Sequence, residues 1–138
     1  MGRKALAVTA DFFFYGTMCH PPLREITFGR VIDVARATMQ DHALFWAKGG
    51  SYPLILPENG AQAEGVVVCG LSPEEVARLD LYEGAFGYRA QQMPVVLADG
   101  REVRVQVYYP QDDNLGEGPD GPWHLADWQD RYAAEFEA

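Results

Sequence analysis

Basic residues are scarce in this chain: 11 lysines and arginines stand against 20 aspartates and glutamates, giving a formal net charge of −9 over 138 residues. No basic run is present, so the sequence offers no surface for tracking phosphates, and nucleic acid is not an expected partner. Acidity of this degree favours solubility and slows the approach of anionic substrates unless a local positive site offsets it. Cysteine is also sparse. Cys19 and Cys69 are too few for a disulfide framework, and neither has a partner cysteine two residues away, which points to a reducing cytoplasm and no zinc knuckle. No stretch approaches the roughly 20 apolar residues needed to span a bilayer, so no membrane association is expected. The first residues are basic, but their apolar run is broken by Asp11 and continues into FFFYG, which reads as a strand and not as a signal peptide. Leu6 stands where a myristoylation pattern requires Ser or Thr. His20, His42 and His124 are scattered without the spacing of a metal-ligand pair, and no metal is assigned. There is no internal repeat, and the strand–helix alternation of a doubly wound parallel sheet is missing.

What is present is apolar: 48% of the residues are hydrophobic, enough for one core and a single domain over residues 1–138. Residues 11–15 read as the first strand. Pro21 and Pro22 suit the first turn of a short helix running to about Phe28, with Gly29 as its stop. Segments 31–39, 42–49 and 52–56 mix β-branched, aromatic and alternating residues and read as strands of one sheet. PENG at 57–60 reads as a turn, and GVVVCGL at 65–71 as a strand buried on both faces. Ser72, Pro73 and Glu75 form a capping box that starts a helix with Val76, Leu79 and Tyr82 on one stripe, ending near Gly84. Two β-rich runs joined at Asp99-Gly100 predict a hairpin. Residues 111–122, QDDNLGEGPDGP, read as a linker or mobile loop. Leu125, Trp128, Tyr132 and Phe136 recur at helical spacing, so the C-terminal segment is expected to close over the sheet as an amphipathic helix. Dense strands in so short a chain favour a small barrel or strongly curled sheet.

Two segments carry candidate chemistry. In DFFFYGTMCHPPLREITFGR, a strand runs into Gly16 and stops at a short loop aimed at a helix, a junction that frees backbone N–H groups for an anion or a polarised carbonyl. Gly16 would let a ligand approach, and the amides of Thr17 and Met18 would bind oxygen. Without a ligand, the same residues are a strand ending in a tight turn, with Thr17 capping the next helix. In LDLYEGAFGYR, Glu83 follows a helix whose C-terminal end carries partial negative charge, and Tyr82, Phe86 and Tyr88 are placed to exclude water. Both effects are expected to raise its pKa, as a proton-shuttling glutamate near neutral pH requires. Taken alone, a glutamate before a glycine in a turn is a solvated charge; the company of the first segment reverses that reading. Cys19 beside His20 reads as an ordinary loop thiol, since chain neighbours rarely orient as a nucleophile pair. Arg24 and Arg30 have the charge to neutralise a carboxylate, but structural or solvated roles are expected for both.

FFFYGTM followed by HPPLREITFGR, then YPLILP, a GLSPEE helix ending in LDLYEGAFGYR, and a VQVYY strand together resemble the γ-glutamylcyclotransferase-like superfamily, in particular its small bacterial and plant avirulence-induced-protein branch. The likeness spans residues 12–109. It implies an α+β fold, a small mixed β-barrel with flanking helices, and a pocket between the loop and the glutamate. By position, the loop is Tyr15, Gly16, Thr17 and Met18, where Met18 replaces a more frequent Leu; the catalytic glutamate is Glu83, and Tyr88 is the downstream tyrosine. The implied reaction is attack of the α-amine of a γ-glutamyl compound on its own γ-carbonyl, giving 5-oxoproline and a free amine, with no metal or organic cofactor. Other readings are a binding module for a small carboxylate or partner protein on the same fold, hydrolysis or transfer on another acyl amide, and cyclotransfer on γ-glutamylamines or isopeptides.

Overall fold

The computed structural model describes residues 10–47, 53–84, 89–110 and 119–132. Strand β1 (Ala10–Phe14) leads through a 3-10 turn (Thr17–Cys19) into helix α1 (Pro21–Phe28). Strands β2 (Ala35–Ala47) and β3 (Pro53–Leu71) follow, then α2 (Pro73–Gly84), β4 (Arg89–Leu97), β5 (Glu102–Tyr109), the short β6 (Pro119–Pro122) and α3 (Leu125–Arg131). The strands are hydrogen-bonded in the order β3-β1-β5-β4-β2, and a further β2–β3 pairing closes the ring, with β6 added on β2. The expected small mixed barrel with flanking helices is therefore what the chain forms, and closure leaves those five strands without a free edge. β1 is antiparallel to β3 and parallel to β5, which seats the FFFY run between two paired strands. That position accounts for four consecutive aromatics, each no more than 5% exposed. Alternation sends them to two faces. Phe12 and Phe14 stack with Tyr108 and with Phe28 of α1 respectively, while Phe13 lies against β3.

Local signals produced local structure as expected. Pro21 and Pro22 open α1, and Gly29 ends it in the left-handed region, φ 74°. The capping box at the head of α2 is formed both ways: the Ser72 N–H donates to Glu75 Oε1 at 2.9 Å and the Glu75 N–H donates to Ser72 Oγ at 3.2 Å. The 4–5 hairpin turns through Ala98, Asp99 and Gly100, with Gly100 at φ 92°.

The middle of the sheet departs from expectation. Segments 31–39 and 42–49 are not two strands, because β2 begins at Ala35 and runs unbroken to Ala47. Likewise 52–56 and 65–71 belong to one 19-residue strand, β3. PENG does not reverse the chain. The register passes from His42↔Pro57 to Gln40↔Gln62, so five steps of β3 face two of β2, and the excess is absorbed as a bulge. Asp41 enters the left-handed region at φ 58° there, and its Oδ1 accepts the Gly60 N–H at 2.9 Å. Nor is 65–71 buried throughout, since Cys69 and Gly70 are exposed. The end of the acidic segment is also not a free loop: Pro119–Pro122 pairs with β2 at Phe45↔Pro122, while 111–118 lie outside the described residues.

Glu75 has a second role. Arg30 Nε and Nη2 donate to its two carboxylate oxygens at 2.6 and 3.0 Å, the structural role expected of Arg30. These bonds hold the Glu75 carboxyl down at about 2, against an ordinary 4.5. A depressed carboxylate stabilises fully above its unfolded pKa, and the contribution is lost as pH falls through the window toward the folded pKa. Glu75→Gln keeps the cap but not the ion pair, so its melting-temperature deficit should be constant above about pH 5 and close progressively at lower pH. Circular-dichroism melts of both proteins from pH 7 to about pH 2.5 test this; a deficit that persists at the acid end assigns the effect to packing instead.

Candidate functional site

β1 delivers Tyr15 to its end, and the chain then tightens. Cys19 and His20 N–H groups donate to the Gly16 and Thr17 carbonyls, both at 3.0 Å, so the turn's own bonds come from its later residues and the amides of Thr17 and Met18 head it. Thr17 does not cap α1; His20 precedes that helix, and no side chain caps it. Tyr15, Thr17 and Met18 are all buried, at 5%, 5% and 1% exposure. Gly16 sits at φ −111°, so left-handed freedom is not the reason for glycine. A Cβ there would come within 2.9 Å of Pro53 Cγ, and the missing side chain makes room for β3.

Three anchors hold the turn. The Tyr15 hydroxyl donates to the Tyr108 carbonyl on β5 at 2.6 Å. The Cys19 thiol donates to the Phe14 carbonyl at 3.0 Å. Arg24 Nη1, from α1, donates to the Met18 carbonyl at 3.0 Å. α3 closes from outside: Trp128 meets His20 edge-on at 5.4 Å, and Gln129 Nε2 lies 3.0 Å from His20 Nδ1. The terminal helix thus seats on this junction, as its apolar spacing led one to expect, although Phe136 lies outside the described residues. Burial pushes the Cys19 thiol up to about 12, which leaves it protonated and unsuited to nucleophilic attack.

α2 reaches the same region through Tyr108. Its hydroxyl donates to Asp80, one helical turn before Glu83, so the strand that accepts from Tyr15 also binds the end of α2. Glu83 lies on the last turn of α2; its side chain and the whole of Tyr88 lie outside the described residues. The sequence singled out neither Tyr108 nor Asp80 individually. Tyr108 was visible only within the VQVYY strand, and the pairing with Asp80 depends on β5 lying beside β1.

On the other flank of β1, next to β3, a cavity of about 490 Å³ opens, bordered by Tyr15 and Cys19, by Gln62 and Glu64 of β3, and by Trp123 and His124. Its size falls in the range of small-molecule sites. Of the 15–18 turn, Tyr15 borders this cavity, and its hydroxyl bonds the carbonyl of Tyr108, the residue that also binds Asp80. Tyr15→Phe should cost about 1–3 kcal/mol by stripping a buried carbonyl of a donor, a loss measurable by urea unfolding. A change under about 0.5 kcal/mol would show that this bond does not hold the turn.

The chain resembles known proteins in sequence and in fold. The family pattern described as "Gamma-glutamyl cyclotransferase, AIG2-like" matches residues 12–130. AIG2-like protein C of Arabidopsis thaliana is 30% identical over 131 residues, covering 91% of this chain and 73% of that protein. Among solved structures, an Arabidopsis thaliana protein determined in solution superposes with a TM-score of 0.69 at 24% identity, over 93% of this chain and 85% of its own. One named gamma-glutamyl cyclotransferase superposes at 0.68 with 15% identity, over 94% of this chain and 84% of its own, a likeness of fold. With the pattern running from β1 into α3 and the barrel shared, this chain belongs to the gamma-glutamyl cyclotransferase, AIG2-like family.

Proposed function

We propose that this protein, acting as a single domain over residues 1–138, is a γ-glutamyl cyclotransferase. The α-amine of a γ-glutamyl amide attacks its own γ-carbonyl carbon; the new C–N bond closes the 5-oxoproline ring, and the original amide C–N bond breaks to release an amine or amino acid. At neutral pH the α-amine is mainly an ammonium ion and carries no lone pair for attack. Glu83 takes that proton and then supplies one to the departing nitrogen, and the second proton, shed by the attacking nitrogen on ring closure, leaves with the amine as its ammonium ion, so the carboxylate is regenerated. The amides heading the 15–18 turn hold the substrate carboxylate or the oxyanion that develops on the γ-carbonyl oxygen. Tyr88 is the further substrate-binding residue of this reading. Nucleophile and carbonyl belong to one molecule, so holding the folded-over conformer removes much of the entropic part of the barrel-bound reaction's barrier.

The observation that carries this reading is the pair of bonds through Tyr108, which ties the turn after β1 to the helix whose last turn holds Glu83. The test is incubation with a panel of γ-glutamyl amino acids, glutathione and γ-glutamylamines, following 5-oxoproline by mass spectrometry. Release of 5-oxoproline supports cyclotransfer and identifies the leaving group. Free glutamate as product would indicate hydrolysis, and no product from any compound would leave a binding module on this fold.

A further inference from the structure

β3 returns to the end of β1 twice. After its bulge Val66 pairs with Phe14, and before it Pro53 lies against Gly16, where a Cβ would stand 2.9 Å from Pro53 Cγ. The β2–β3 ribbon is therefore curled, and the cavity of about 490 Å³ is bordered both by Arg36 near the start of β2 and by Leu44 near its end. One part of that border is charged. Arg36 pairs with Val66 and Thr38 with Glu64, which puts Arg36 and Glu64 on the same face of the ladder at a diagonal spacing of about 7–8 Å. Long side chains at that spacing can meet, yet these two do not. Among the described residues the ion pairs are Arg30–Glu75 and Arg101–Asp99, and neither the Arg36 nor the Glu64 side chain has a bonded partner. Another part of the border is apolar, formed by Leu44, Trp123 and Leu125. Trp123 is 4% exposed, and its Nε1 has no acceptor among the described residues. Buried donors are nearly always paired, and a ligand is one source of the acceptor.

An anion alone would meet Arg36 but face Glu64, and a cation alone would meet Glu64 but face Arg36; like-charge juxtaposition counts against both. A small molecule that carries the two charges on neighbouring groups suits the pair. We propose that this cavity binds a free α-amino acid with an apolar side chain, its carboxylate on Arg36, its ammonium group on Glu64 and its side chain against Leu44, Trp123 and Leu125. The cavity is of small-molecule size. The γ-glutamyl end of a substrate carries the same charge pair, but on a polar amide chain that the apolar border does not match. Arg36 and Glu64 are exposed, so the selectivity they give is modest.

The inference stands apart from the cyclotransferase reading, and its test reads binding only. The full chain is titrated at about pH 6.5, where amines of this kind are charged, and the indole N–H signals are followed by NMR. The probes are L-phenylalanine, N-acetyl-L-phenylalanine with the carboxylate alone, L-phenylalaninamide with the ammonium alone, and L-glutamine with both charges on a polar chain. L-phenylalanine should bind about fivefold tighter than each of the others, with saturable movement of the Trp123 signal. In Arg36→Gln the advantage over the carboxamide should vanish while that over the N-acetyl compound persists; in Glu64→Gln the reverse should hold. Both side chains are exposed, and melting curves of the variants should match the parent. Binding of L-phenylalanine no tighter than the single-charge probes would overturn the proposal. So would equal loss of every probe in both variants, or saturation without movement at Trp123. Tighter binding of L-glutamine would overturn it in favour of the γ-glutamyl end of a substrate. No arm depends on turnover, so an inactive parent would strike the cyclotransferase reading and leave this comparison decisive.

Discussion

Glu83→Gln should lower 5-oxoproline release by about 10²–10⁴-fold, the usual contribution of a positioned general acid–base group. Glutamine has the shape of glutamate and keeps hydrogen-bonding capacity, but it neither accepts the ammonium proton nor returns one to the leaving nitrogen. Glu83 lies on the final turn of α2, past the half-buried Val76 and the fully buried Leu79 that fix the helix on the barrel. A substitution there leaves those contacts in place, and the melting temperature should change little. The informative measurement pairs turnover with 5-oxoproline affinity in the same variant. Lost turnover with affinity retained identifies a proton-transfer role; turnover within threefold of the parent would remove Glu83 from the mechanism.

Gly65→Ala should be the most damaging single-methyl change in the described part of the barrel. A Cβ at Gly65 would lie 2.2 Å from the Phe14 carbonyl oxygen and 2.7 Å from Phe13 Cζ. Neither neighbour has an easy way out: Phe14 is paired with Val66 in the β1–β3 ladder, and Phe13 is 1% exposed in the core. The strands must part or the ring must leave its rotamer, at a cost of about 3 kcal/mol or more. For a chain of this length that corresponds to a fall of roughly 10 °C in melting temperature. The shift also moves the strand that carries Tyr15, so activity should fall further than the folded fraction does at 25 °C. A variant melting within about 2 °C of the parent would show that β1 and β3 have slack here.

How much of this was legible in the residues follows from how far apart the interacting groups stand in the chain. The sequence by itself determined the features decided within a few residues: the Pro21 start and Gly29 stop of α1, the Ser72–Glu75 cap of α2, and the Asp99-Gly100 hairpin. It also determined the family, because several short motifs in order are more specific than any one of them. Strand ends in the middle of the sheet were misread, since composition around PENG signals a turn, whereas the Asp41–Gly60 bond and the pairing across it continue the strand. Only tertiary structure decided that β2 and β3 close the ring, that Gly16 yields its space to Pro53, and that Gly65 must be a glycine for Phe13 to fit. It alone buried Arg24 behind the Met18 carbonyl and joined Tyr15 to Asp80 through Tyr108. The tyrosine pair is separated by 93 residues and Tyr108 from Asp80 by 28, so no local propensity encodes either contact; barrel closure brings them together.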